Sequence, residues 1–195
     1  MLKRQYPKIL LLSVLLLGIG CISPKSYVDP ALPKVTAVSI QREAQVVALE
    51  VRFFRNGVRY PKGDAQTLQQ VRLQLYESGA VREVLPVPSP TQSLLKVDID
   101  NVADTGNAAA KGFGTGLTFG LIGNMITDRY VFTATLERPG LPPIQKFYKH
   151  AIHTTVGNKS GPEGLEPMTS GQAYNQIIKE CVFNLIKDLQ DEGSF

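Results

Sequence analysis

Cysteine is scarce in this chain. Cys21 and Cys181 are the only two among 195 residues, so no framework of disulfides holds the fold together. Neither stands in a Cys/His cluster with zinc-ligand spacing. Long apolar runs are short supply as well. The longest, Ile9 to Ile22, covers 14 residues, below the roughly 20 that a helix needs to cross a bilayer. Residues 1–20 contain no acid, only the cations Lys3, Arg4 and Lys8, and removing these three from a net charge of +4 leaves +1. So weak a cationic balance excludes a nucleic-acid binder, which needs dense positive charge to displace counterions from phosphate. Motifs for catalysis are missing too. Neither Gly112 to Gly116 nor Gly161 to Gly164 leads into a Lys-Ser/Thr pair, and there is no nucleophile elbow. The chain is expected not to be an enzyme and to use no cofactor or metal.

What is present begins at the N-terminus. A basic start, an apolar stretch from Ile9 to Leu17 broken by Ser13, and small residues up to Gly20 form the three-part pattern of a secretory signal, predicting a signal peptide over residues 1–20. The run Leu17-Gly18-Ile19-Gly20-Cys21 resembles the lipobox of bacterial lipoproteins. The family usually places Leu three residues before the cysteine; here Gly18 holds that position and Leu17 lies one further back. The resemblance covers the first 21 residues and implies that Cys21 carries covalent lipid (palmitate and related acyl chains). More than one acyl chain makes a stable membrane anchor. Ile22 follows in place of the Asp that retains such proteins at the inner membrane, which implies an outer-membrane protein facing the periplasm if the source is Gram-negative.

Past Cys21, Pro24, Pro30 and Pro33 interrupt residues 22–34, which read as a tether. A single domain over residues 35–195 follows. Val35 to Ile40 is β-like. Val47, Leu49, Val51 and Phe53 alternate with polar neighbours and predict a half-buried strand. Asp64 stands as a helix cap before Leu68, Val71 and Leu75, and Gly79 as the left-handed stop. Val81 to Val87 and Leu95, Val97 and Ile99 read as further strands. Tyr130 to Leu136 reads as a strand covered on both faces. The turn at residues 138–143 returns it as a hairpin through Ile144 to Thr155. Thr169 and Gln172 match a capping box, opening a helix to about Asp191 with a stripe of Tyr174, Ile177, Ile178, Cys181, Leu185 and Leu189. The fold class is therefore α+β, a mostly antiparallel sheet with two main helices on one face and a Gly-rich insert between strands. This element order over residues 45–190 is similar to that of curli-secretion-channel lipoproteins, penicillin-binding-protein activators and the N-terminal domain of TolB. No motif of theirs carries over, so the resemblance implies a fold and no activity.

Candidate site residues are few. His150 and His153 lie three apart in a strand, which sends them to opposite faces, and they read as surface or edge histidines. Asp98, Asp100 and Asp104 lack the ligand order of a calcium loop and read as a solvated face. Phe183 falls away from the apolar stripe and is a candidate partner contact. Gly112, Gly116 and Gly120 stand four apart in residues 106–127, a spacing that brings helix backbones close in membranes. They are the candidates for membrane contact or self-association. The expected function is non-catalytic binding of another envelope protein by a lipid-anchored body, with an oligomeric structural or pore-forming lipoprotein as the rival.

Overall fold

The structure, a computed structural model, describes residues 24–103, 124–157 and 159–195. Seven strands form one mixed, mostly antiparallel sheet: β1 Lys25–Val28, β2 Gln45–Arg55, β3 Val58–Arg59, β4 Val81–Leu85, β5 Ser93–Ala103, β6 Asn124–Glu137 and β7 Ile144–Val156. Among the described residues two α-helices accompany it, α1 Asp64–Ser78 and α2 Ser170–Asp191. The order across the sheet is β1-β7-β6-β5-β2-β3, with β4 also paired to β2. β4 and β5 flank β2 in parallel; the other pairings are antiparallel.

Alternation decides which face meets the helices. Leu95, Val97 and Ile99 of β5, Phe132, Ala134 and Leu136 of β6, and Tyr148 and Ile152 of β7 join Val71 and Leu75 of α1 and Ile177, Ile178, Cys181 and Leu185 of α2 in one core. The opposite face carries the Arg52–Asp98 and Lys96–Glu137 ion pairs and Phe147, 62% exposed. Here β6 departs from expectation. Its continuous apolar and threonine run suggested burial on both sides, yet Val131, Thr133 and Thr135 are only half buried. Neighbouring strands shield them, since β-branched residues favour the interior of a sheet whether or not a second layer lies above.

The capping box of α2 forms as its spacing predicts: the Gln172 amide donates to Thr169 Oγ1, and the Thr169 amide donates to Gln172 Oε1 at 2.9 Å. Gly79 ends α1 at φ +77°. Asp64 is not the cap. Gly63 holds that position, and the Asp64 carboxylate instead accepts the Phe53 amide at 2.9 Å and pairs with Arg59, tying the helix start to the β2–β3 hairpin. That hairpin turns on Asn56 and Gly57, both at positive φ, a two-residue connection matched to strand twist.

The stretch preceding the body differs most from the tether reading. Lys25–Val28 pairs with β7, and Tyr27 is buried. Residues 37–39 form a 3-10 turn in place of a strand. The chain then runs along α2, where Asn184 donates to the Pro33 carbonyl at 3.0 Å and Gln190 exchanges two hydrogen bonds with the backbone of Gln41. Helix α2 is thereby covered by sheet, α1 and the N-terminal segment, and every residue from Cys181 to Ile186 is buried.

Candidate functional site

Register builds a polar row where the helix-facing side of the sheet leaves the core. Arg55 of β2 stands opposite Asn101 of β5, Asn101 opposite Tyr130 of β6, and Tyr130 opposite His150 of β7. Residues paired in register share a face. The row behind it, Phe53, Ile99, Phe132 and Tyr148, is aromatic and aliphatic and belongs to the core side. The polar row marks the boundary of that core.

Over the Arg55–Tyr130 part of this row a cleft of about 370 Å³ opens between the strand ends, the start of α1 and the first turns of α2. Phe53 and Tyr60 meet edge to face with ring centres 6.3 Å apart, and the Arg55 guanidinium lies 5.6 Å from the Tyr60 ring centre. Gly63 lets α1 begin directly against β2: a Cβ there would fall 2.7 Å from Phe53 Cδ1. On the far wall Tyr130 and Tyr174 pack at 5.8 Å, and the Tyr174 hydroxyl is 2.9 Å from Oγ1 of buried Thr67. Burial pushes the Tyr174 phenol up to about 12, and burial together with Asp128 pushes Tyr130 higher still. Both therefore keep their O–H protons at neutral pH. Among the described residues, no carboxylate lines the cleft.

Asn101 forms the floor. It is 7% exposed, and its Nδ2 has no hydrogen-bond partner among the described residues. Nearby cations fall into two groups. Arg52 and Arg59 are paired with Asp98 and Asp64, whereas Arg55 and Lys62 stand in no ion pair among the described residues.

The sequence-named residues lie elsewhere. Cys21, Gly112, Gly116, Gly120 and Asp104 are outside the described residues. Phe183 is corrected from exposed contact to core: it is 2% exposed. Lys179, one turn earlier on the same row, lies 5.2 Å from its ring centre and bridges to Glu77 of α1, so this row lies along α1 and Phe183 is covered. Helix α1 covers the side of α2 that lies off its apolar stripe. His150 and His153 do point to opposite sides, but His150 is no surface histidine; it is 3% exposed with Nε2 at 2.6 Å from Glu180 Oε2. His153 contacts Thr127 Oγ1 and Asp29. Asp98 and Asp100 are engaged by Arg52 and the Gly57 amide. Among the described residues, no three His, Cys, Asp or Glu side chains cluster to hold a metal. No described helix is long and apolar enough to cross a membrane.

No known protein family matches the chain, and no curated relative does. Among solved structures it is similar to rare lipoprotein B from Shewanella oneidensis, at 10% identity and TM-score 0.37 over 76% of this chain and 94% of that one. It is similar to a minor lipoprotein from Acinetobacter baumannii, at 12% identity and TM-score 0.36 over 77% and 94%. A neuraminyllactose-binding hemagglutinin homolog from Helicobacter pylori gives 12% identity and TM-score 0.41 over 76% and 84%. Two of these three are bacterial lipoproteins by name. Likeness this slight says nothing about what the present chain binds.

The cleft residues Arg55, Asn101, Tyr130 and Tyr174 were missed from sequence because they come from four separate elements. One signal was there to read: Asn56-Gly57, following the alternating stretch that ends at Arg55, announces a hairpin, which would have placed Arg55 at a strand end beside Tyr60.

Proposed function

We propose that this chain is a lipoprotein of the bacterial cell envelope, held in the outer membrane through acylated Cys21 and facing the periplasm, where its α+β body binds another envelope component without catalysing a reaction. The observation that carries the reading is the setting of Cys21, a small-residue run behind a basic and then apolar N-terminus. Each methylene buried in the bilayer contributes about 0.8 kcal/mol, so more than one acyl chain suffices for a lasting anchor. Ile22 supports the outer over the inner membrane. The open cleft, whose rim cations Arg55 and Lys62 stand in no ion pair among the described residues and whose walls are aromatic, supports binding as the task of the body. Catalysis is left out because the sequence holds no nucleophile elbow, phosphate-binding loop or zinc spacing.

Expression in a Gram-negative host with radiolabelled palmitate tests the anchor. Label should enter the wild-type chain and not Cys21→Ala, and density-gradient fractions should place the wild type with outer membrane. If Cys21→Ala is processed yet stays in the membrane pellet after a carbonate wash, the anchor lies elsewhere and the reading fails.

A further inference from the structure

We propose that the cleft over Arg55, Asn101 and Tyr130 is a binding site for a small ring-bearing carboxylate. The inference rests on the reading of the body as a binding module and is independent of the anchor. Its first support is Asn101. Among the described residues its buried Nδ2 donor has no partner, an exception that is uncommon in native proteins, and of the atoms so left it is the one that lies on the floor of this cleft. The χ2 torsion of Asn is broad, so Nδ2 can turn to an acceptor entering from the cleft at little cost. What it lacks is an oxygen.

Charge narrows the ligand. The β2–β3 region contains four arginine or lysine side chains, and the two that do not line the cleft, Arg52 and Arg59, are satisfied by Asp98 and Asp64. Among the described residues, Arg55 and Lys62, which line the cleft, pair with no carboxylate, so within them the site is short of one anion. Arg55 and Asn101 are direct neighbours across parallel strands, roughly 5 Å apart at the backbone. From there a guanidinium and an amide can each take one oxygen of the same planar carboxylate, the group for which the arginine fork is shaped.

The walls supply the rest. Tyr60 and Tyr130 present flat apolar surface with phenolic O–H groups at their edges, which suits a ring bearing hydroxyls or an aromatic ring. At about 370 Å³ the cleft lies at the small end of ligand pockets and takes a single ring with short substituents.

The test is calorimetric titration of the full-length protein in detergent with benzoate and glucuronate, using benzyl alcohol and glucose as neutral counterparts and phenyl phosphate as the rival anion. At least one carboxylate should bind saturably, at least about tenfold tighter than its neutral counterpart and than phenyl phosphate. Arg55→Gln, an exposed position that leaves the fold intact, should weaken it about tenfold or more. Asn101→Asp, isosteric but with a like charge, should abolish it, and the melting transition of each variant checks that it is folded. Absence of saturation up to about 10 mM, equal binding of neutral and charged rings, tighter binding of phenyl phosphate, or indifference to Arg55→Gln each overturns the proposal. Loss of binding in a chain that still labels with palmitate separates failure here from failure of the anchor.

Discussion

His150 Nε2 lies 2.6 Å from Glu180 Oε2 with the imidazole fully buried, and this contact joins β7 to α2 beneath the N-terminal segment. The Ala151 amide donates to His150 Nδ1 at 3.0 Å, so Nδ1 is the acceptor and the Nε2–H donates to Glu180. Gln176 donates to the second Glu180 oxygen at 2.6 Å. Burial pushes the Glu180 carboxyl up, but the hydrogen bonds from His150 and Gln176 outweigh it and hold it below the ordinary carboxylate range.

A carboxyl held lower in the folded than in the unfolded chain contributes stability that is complete above its unfolded value near 4.5 and is lost as pH falls through the folded one. Glu180→Leu should therefore destabilise the protein by about 1–3 kcal/mol at pH 7, because the buried Nε2 donor loses its acceptor. The difference from wild type should shrink as pH falls below 4.5. Urea denaturation at pH 7 and pH 3.5 checks this; a difference that grows on acidification has the wrong sign and refutes the assignment.

Phe183 gives the second prediction. It is sealed between α2 and α1 beneath Lys179, and Phe183→Ala should cost about 3–5 kcal/mol, as truncation of a buried aromatic does. An exposed partner contact would cost almost nothing. The urea midpoint decides, and a shift equivalent to less than about 0.5 kcal/mol would return Phe183 to the surface.

Cys181 stands in the middle of the α2 stripe, and burial pushes its thiol well above the ordinary range. Only the thiolate reacts, so labelling of the native Cys21→Ala protein should be slow and should become fast across the unfolding transition. Prompt stoichiometric labelling without denaturant would show that this helix face opens in the native state.

Helices and hairpin were legible in the sequence because their signals are local. The Thr169/Gln172 box, the 3–4 spacing of the α2 stripe and the alternation in β5 are set by neighbours within a few residues. β1 was not legible. Lys-Ser-Tyr-Val is too short and too close to prolines to signal a strand, and it is one because the edge of β7 offers it hydrogen bonds. Phe183 was misplaced for a related reason: a single stripe assumes one packing partner, and α2 has three. Nor could the cleft be read, since Arg55, Asn101 and Tyr130 meet only through the parallel register of β2 on β5 and the antiparallel register of β5 on β6.

The same dependence on distant partners makes β1 the place to test how the N-terminal segment is held. Its Ser26 exchanges two backbone hydrogen bonds with Met168, both 2.9 Å, on the edge away from β7, so β1 is gripped on both sides. Tyr27 lies flat against Gly161, where a Cβ would stand 2.1 Å from the ring carbon Cζ. No side chain fits there without displacing the ring. Gly161→Ala should therefore cost about 1–3 kcal/mol, the range for overpacking a filled site, and should speed amide exchange at residues 25–28 more than in the centre of β5. Gly171→Ala is the control, because a Cβ at this α2 position meets nothing within 4 Å. Alanine also favours helix there, so its melting point should hold or rise. If Gly161→Ala exchanges at residues 25–28 no faster than Gly171→Ala, the Tyr27 ring has room to move and β1 is not fixed by this contact.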